Sequence, residues 1–210
     1  MTKNEILEYI YKNKVVAVVR LDENADAVEV VRAIIKGGVK VIELTLTTPN
    51  AFEVIKKLSE SFSSEALIGA GSVLNSEMAK KAIESGAKYI VSPISNFELI
   101  DVAHSNNIPV MLGAYTPTEI YNAQLKGVDV VKVFPADGLG MKYFKSIKAP
   151  MPHLNIMPTG GVTLTNAGDW INAGASAVGI GSALATKEQV ANKDYVGIEE
   201  NAKLVISSIK

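Results

Sequence analysis

Lys126-Gly127-Val128-Asp129-Val130-Val131-Lys132-Val133-Phe134 is the stretch that decides the fold. A glycine closes an amphipathic stretch and a β-branched run follows at once, which is the order helix, turn, strand. The same join recurs as Gly37-Gly38-Val39, Ser85-Gly86-Ala87 and Ala173-Gly174-Ala175. Gly37, Gly86, Gly127 and Gly174 are the expected C-caps of four helices. Outward from these joins, short apolar runs occupy 15–19, 40–46, 67–70, 89–91, 109–112, 128–134, 154–158 and 177–180. Helical patterns occupy 25–36, 50–60, 76–85, 97–105, 117–126, 141–147, 164–172 and 198–209. Short, mostly apolar runs of this kind fit parallel strands buried on both faces.

Eight strand-and-helix units in 210 residues give about 26 residues per unit. With eight strands and no dinucleotide glycine pattern after the first, the expectation is a closed (β/α)8 TIM barrel, an α/β fold forming one domain over 1–210. A short helix at 3–11 precedes the first strand and is expected to cover the bottom of the barrel, the end devoted to stability. The polar stretch 187–194, between the last strand and the last helix, is assigned no element.

Composition excludes several classes. Twenty-one Lys and Arg against 22 Asp and Glu leave a net charge of -1, so a nucleic-acid groove would form without net attraction and no nucleic-acid partner is expected. The lack of cysteine rules out disulfides, thiolate catalysis and sulfur-ligated metals. No run approaches the roughly 18 apolar residues of a membrane span. Met1-Thr2-Lys3-Asn4-Glu5 has none of the features of an export signal, so a cytoplasmic protein with no membrane partner is expected.

A barrel keeps its chemistry at the C-terminal ends of its strands. In Lys40-Val41-Ile42-Glu43-Leu44-Thr45-Leu46, alternation puts Val41, Glu43 and Thr45 on one face. In Val130-Val131-Lys132-Val133-Phe134, one lysine interrupts an apolar run, and a buried ammonium is either paired or neutral. A neutral buried lysine is the usual Schiff-base nucleophile, and a carboxylate suits proton shuttling beside the carbonyl. The alternative is a buried Glu43–Lys132 ion pair with no further role.

Thr159-Gly160-Gly161 follows the seventh strand and Gly179-Ile180-Gly181-Ser182 the eighth, where barrels bind phosphate through backbone N–H groups. Tight turns are the alternative reading. Gly69-Ala70-Gly71-Ser72 repeats the arrangement after the third strand, as a holder of a substrate carboxylate or as a plain turn. Only Arg20 and Arg32 accompany nineteen lysines. Arg20, just past the first strand, can reach an anionic substrate as a bidentate donor, whereas Arg32, Lys142, Lys145 and Lys148 read as surface. His104 and His153 belong to no metal-ligand pattern, so neither a metal nor an organic cofactor is expected.

These segments together resemble the 2-keto-3-deoxy-6-phosphogluconate and 4-hydroxy-2-oxoglutarate aldolase family of class I, pyruvate-dependent aldolases. The resemblance runs from Val15 to Leu184. Its motifs are Gly38-Val39-Lys40-Val41-Ile42-Glu43-Leu44-Thr45, Ile68-Gly69-Ala70-Gly71-Ser72-Val73-Leu74, Ile90-Val91-Ser92-Pro93, Val131-Lys132-Val133-Phe134-Pro135-Ala136 and Met157-Pro158-Thr159-Gly160-Gly161-Val162. It implies that Lys132 forms the Schiff base and Glu43 transfers protons. Ser72, where the family usually has threonine, would stand near the pyruvate carboxylate beside Gly71. Pro93, Phe134 and Thr159 would line the pocket, and Gly160, Gly161, Gly181 and Ser182 would surround a phosphate.

One departure concerns the second strand. Where the family pattern ends E-x-T-L-R-T, this chain has Glu43-Leu44-Thr45-Leu46-Thr47-Thr48. Thr47 therefore replaces an anchoring arginine, and Arg20 is the nearest candidate to compensate. The implied reaction cleaves 2-dehydro-3-deoxy-6-phosphogluconate to pyruvate and glyceraldehyde 3-phosphate. The alternative is cleavage of 4-hydroxy-2-oxoglutarate to pyruvate and glyoxylate, alone or as a second activity. The partner is thus a small 2-oxo acid, phosphorylated in the first case, and the family implies a homotrimer serving carbohydrate metabolism. Rival readings on the same scaffold are a ribulose-phosphate epimerase, a thiamine-phosphate synthase or a non-catalytic binder, all of which leave Lys132 without a use.

Overall fold

The fold is that of a computed structural model, described over residues 1–23 and 25–209. The chain runs α1 (Lys3–Asn13), β1 (Val15–Val19), α2 (Ala27–Lys36), β2 (Val41–Thr45), α3 (Ala51–Ser61), β3 (Leu67–Gly71), α4 (Ser76–Glu84), β4 (Ile90–Val91) and α5 (Glu98–Ser105). It continues through β5 (Val110–Ala114), α6 (Pro117–Leu125), β6 (Val130–Val133), α7 (Gly140–Lys148), β7 (Ile156–Pro158), α8 (Ala167–Asn172), β8 (Val178–Ile180), α9 (Lys187–Ala191) and α10 (Tyr195–Ser208). The strands are all parallel, in the order β7-β6-β5-β4-β3-β2-β1-β8. The isolated parallel bridge between Thr159 and Gly179 joins the two ends. This is the expected (β/α)8 barrel.

Local chemistry explains the helix starts. Thr2 with Glu5 and Thr116 with Glu119 form reciprocal capping boxes, while Asp26, Asn75 and Asp194 accept from first-turn N–H groups, so orphan donors are satisfied at each end. At the helix ends, Gly86, Gly127 and Gly174 take left-handed φ of 100°, 93° and 102°. After α2 the left-handed residue is Gly38, with φ 104°, and Gly37 is helical, with φ -72°. Gly37 is small for a different reason. A Cβ there would overlap Ala202 and the Glu199 carbonyl of α10, so it permits the close approach of α2 and α10.

Three other expectations are corrected. The stretch 187–194 contains α9, started by a capping box of Thr186 and Gln189. Helix α8 begins at Ala167, not Leu164, because the Asn166 side chain closes the preceding turn, accepting from Thr163 N at 2.8 Å and donating to the Gly161 carbonyl at 3.0 Å. Lys148 is not a free surface lysine: its Nζ donates to the carbonyls of Pro152 and Leu154 at 2.7 and 2.8 Å.

Helix α1 covers the bottom as expected, with Ile6 and Ile10 fully buried. Lys3 reaches Asp129 at 2.8 Å, at the foot of β6, and Asp129 also holds His104 Nε2 at 2.8 Å and the Val110 N–H at 2.9 Å. Burial and the Asp129 charge push the Tyr11 phenol up to about 12.

Gly37→Ala is expected to lower the unfolding free energy by about 1–3 kcal/mol, the cost of overpacking a close contact. Urea denaturation of the two proteins measures it. A change within about 0.5 kcal/mol would show that α2 and α10 can separate freely.

Candidate active site

Parallel strand partners share a face, so the register fixes the barrel interior. Val18 pairs with Glu43 and Glu43 with Gly69; across the barrel, Gly113 pairs with Lys132 and Lys132 with Met157. Glu43 on β2 and Lys132 on β6 therefore extend inward from opposite walls. Lys132 Nζ lies 3.5 Å from Glu43 Oε1, with both side chains almost wholly buried, at 7% and 0% exposure. Neither carboxylate oxygen has a hydrogen-bond partner. Lys132 Nζ also lies 5.3 Å from the centre of the Phe134 ring, two residues on and at the mouth, where Phe134 is partly exposed.

Glycines make room for this pair. A Cβ at Gly71 would overlap the Glu43 carboxylate, one at Gly69 the Tyr89 ring, and one at Gly179 the Thr159 hydroxyl. At Gly113 the space is taken by the Pro93 carbonyl, because the loop after β4 turns in over the sheet and is held there by Ser95 Oγ on the Gly113 carbonyl at 2.7 Å. A TIM barrel interior is ordinarily filled by layers of bulky side chains. Here the upper layer is thinned, and polar groups occupy it.

Ser72 follows Gly71 in a left-handed turn, with φ 59°. Thr159 is buried with its Oγ1 unpartnered. Gly160 and Gly161 have φ of 95° and 73° and turn the chain outward above β7. Gly181 and Ser182 open the turn closed by Leu184 N on the Gly181 carbonyl. Thr47 is exposed at the mouth, and its hydroxyl pairs with that of Thr45 at 2.9 Å. Arg20 is exposed immediately past β1, and continuing the pairing of Val19 with Leu44 puts it beside Thr45 on the inner face. All thirteen sequence-selected residues thus belong to one end of the barrel.

Among the described residues, no group of three His, Asp or Glu could hold a metal ion. Among the same residues, no helix is long and apolar enough to cross a membrane. A groove of about 610 Å³, lined by Tyr9, Ser59, Glu60 and Gly86 among others, opens at the opposite end and includes none of the selected residues.

The family model for KDPG and KHG aldolases matches residues 6–201. The chain belongs to that aldolase family. It is 31% identical to the 2-dehydro-3-deoxy-phosphogluconate aldolase of Haemophilus influenzae, over 100% of this chain and 99% of that protein. It is 30% identical to the KHG/KDPG aldolase of Escherichia coli K12, over 93% and 92%. The solved KDPG aldolase of Legionella pneumophila, with pyruvate captured as a covalent carbinolamine, superposes with a TM-score of 0.87 at 28% identity, covering 95% of this chain and 97% of that one.

For this aldolase-family chain, the sequence reading missed Tyr89. It is fully buried in the interior with its hydroxyl unpartnered, and burial, then the Glu43 charge, pushes its phenol well above the usual tyrosine range. Period-two spacing does not mark it, since it precedes β4 and reads as one more apolar strand residue.

The buried pair sets a stability expectation. Lys132→Met leaves the Glu43 carboxylate without its partner and is expected to cost about 3–5 kcal/mol. Glu43→Leu combined with Lys132→Met should recover most of that loss. Chemical denaturation of the two variants checks this; a double variant no more stable than the single one would contradict it.

Proposed function

We propose that the protein is a class I aldolase that cleaves 2-dehydro-3-deoxy-6-phosphogluconate to pyruvate and glyceraldehyde 3-phosphate through a Schiff base on Lys132. The observation that carries this reading is the buried Lys132 amine 3.5 Å from a carboxylate with two unpartnered oxygens. The Lys132 amine attacks the substrate carbonyl at C2, and the carbinolamine loses water to give an iminium. Glu43 takes the proton of the C4 hydroxyl, and the C3–C4 bond breaks with its electron pair passing to the iminium nitrogen. An aldehyde leaves, and an enamine remains on Lys132. Protonation at C3 and hydrolysis release pyruvate and free the lysine.

The same reading gives roles to the rest of the site. Gly71 and Ser72 stand beside the pyruvyl carboxylate, Pro93, Phe134 and Thr159 line the pocket, and Gly160, Gly161, Gly181 and Ser182 surround the phosphate. Gly160 and Gly161 turn the chain at the end of β7, and the backbone N–H groups of such a turn suit an anion. Arg20 supplies the cation that Thr47 lacks. The second reading, cleavage of 4-hydroxy-2-oxoglutarate to pyruvate and glyoxylate, is favoured by the dual name of the Escherichia coli relative. It uses the same pair and leaves the glycine turns idle. A cytoplasmic homotrimer acting in carbohydrate metabolism completes the proposal; Leu74, Ile94 and Tyr115, exposed apolar side chains on the loops after β3, β4 and β5, supply surface for contact between copies.

Intact-mass analysis after pyruvate and borohydride treatment tests the chemistry. Wild type is expected to gain one pyruvyl adduct and Lys132→Ala none, with cleavage falling by at least about 1,000-fold. Unchanged cleavage by Lys132→Ala would end the Schiff-base assignment. Steady-state assays with both substrates then decide between them, and the phosphorylated one should have the higher kcat/KM.

Arg20→Ala should raise KM for the 2-oxo acid by about 10- to 100-fold, the loss of a charge-assisted hydrogen bond, while borohydride trapping at saturating pyruvate persists. An unaltered KM would leave the carboxylate anchor to Ser72 and its neighbours.

A further inference from the structure

Tyr89 and Glu43 share one chamber. The phenol ring lies over Gly69 and the carboxylate over Gly71, two inward positions on the same strand, about 6.6 Å apart along it. Both groups are fully buried. The Tyr89 hydroxyl and both Glu43 oxygens have no hydrogen-bond partner, whereas buried polar groups are almost always paired. Three unpartnered oxygens over neighbouring glycines therefore describe a site for hydrogen bonding between them. A bridging water needs two or more polar partners, and the chamber supplies them. The direction of transfer is set by chemistry: the phenol, held protonated by burial and by the Glu43 charge, is a donor, and a carboxylate only accepts.

We propose that Tyr89 is a positioning residue for the aldolase reaction, its hydroxyl donating toward Glu43 through one water and holding the carboxylate aimed at the reacting carbon. The inference rests on the Schiff-base reading above and adds a residue to its proton-transfer half. The titratable groups facing Glu43 are Lys132 from β6, at 3.5 Å, and Tyr89 from the lead into β4. The neighbours from β1 and β3 are Val18, Gly69 and Gly71, and Gly113 faces the site from β5; none of these titrates. Arg20, one inward position nearer the mouth on β1's continuation, is exposed, and Lys132 is consumed as the nucleophile. Once it is part of an adduct, the phenol is the remaining built-in donor.

Tyr89→Phe keeps the ring against Gly69 and removes only the hydroxyl. Two readouts on wild type and Tyr89→Phe separate the steps. Borohydride trapping of pyruvate reads adduct formation on Lys132, and NMR of deuterium entering the pyruvate methyl group reads proton transfer by the carboxylate. The expected result is equal trapping with methyl exchange about 5- to 50-fold slower, the loss of a hydrogen bond to a charged group.

Exchange equal to wild type would overturn the inference. So would trapping and exchange that fall together, since that is the result of disturbed packing. If wild type itself neither traps nor exchanges, the Schiff-base reading fails and this one with it. A high-resolution structure of the wild-type protein gives a test that does not depend on the variant folding. A Tyr89 hydroxyl linked to Glu43 by one water supports the inference, and a hydroxyl with only apolar neighbours overturns it.

Discussion

The structure depends on carrying two opposite charges into the middle of a barrel. A carboxylate and an ammonium out of water are each expensive, and their attraction offsets that cost only at close range. Glu43 and Lys132 start from opposite walls, so closeness requires that nothing stand between them. Gly71 meets that condition for the carboxylate itself, and Gly69, Gly113 and Gly179 leave room for Tyr89, the Pro93 carbonyl and Thr159 around the pair. The lower layer and the helices then supply the stabilising apolar burial that the upper layer gives up. An isoleucine or valine at any of the four glycines would suit a parallel strand by propensity and would not fit here.

The eight strands were legible because a parallel strand covered on both faces reads as a short β-branched run, and 15–19 matches its observed span. Other boundaries moved by one to three residues, and before α8 it is a side chain, that of Asn166, that sets the start. The α9 helix announced itself only through Thr186 and Gln189 at capping-box spacing, a signal easily lost in a polar stretch. Glu43 and Lys132 stood out because a charge inside an apolar strand must be explained. Tyr89 needed no such explanation in sequence, since its partners come from β2 and β3 and its hydroxyl becomes conspicuous only once it is buried.

The two ends of the barrel divide the work. At the bottom, charge is satisfied: Asp129 is held by Lys3, His104 and a backbone N–H, residues too far apart in the chain for any local pattern to reveal. At the top, Glu43, Tyr89 and Thr159 have polar atoms left over. Leftover hydrogen-bonding capacity in a buried place costs stability, and that cost is acceptable where a substrate or ordered water takes it up. Exposed Thr47, paired with the buried Thr45 that ends β2, belongs to the same end and leaves Arg20 as the cation on this part of the rim.

The Thr159–Gly179 bridge has a mechanical consequence. Seven of the eight seams between strands are ladders, but β7 and β8 meet at one isolated bridge. The turns that carry Gly160, Gly161, Gly181 and Ser182 follow the two strands of that seam. An anion gripping both turns would act as a clasp, tying the last two strands of the barrel together through its own oxygens. Occupancy would then be felt as resistance to the barrel unzipping along one line, with the slowest amide exchange gained at β7 and β8 and little change at the far wall.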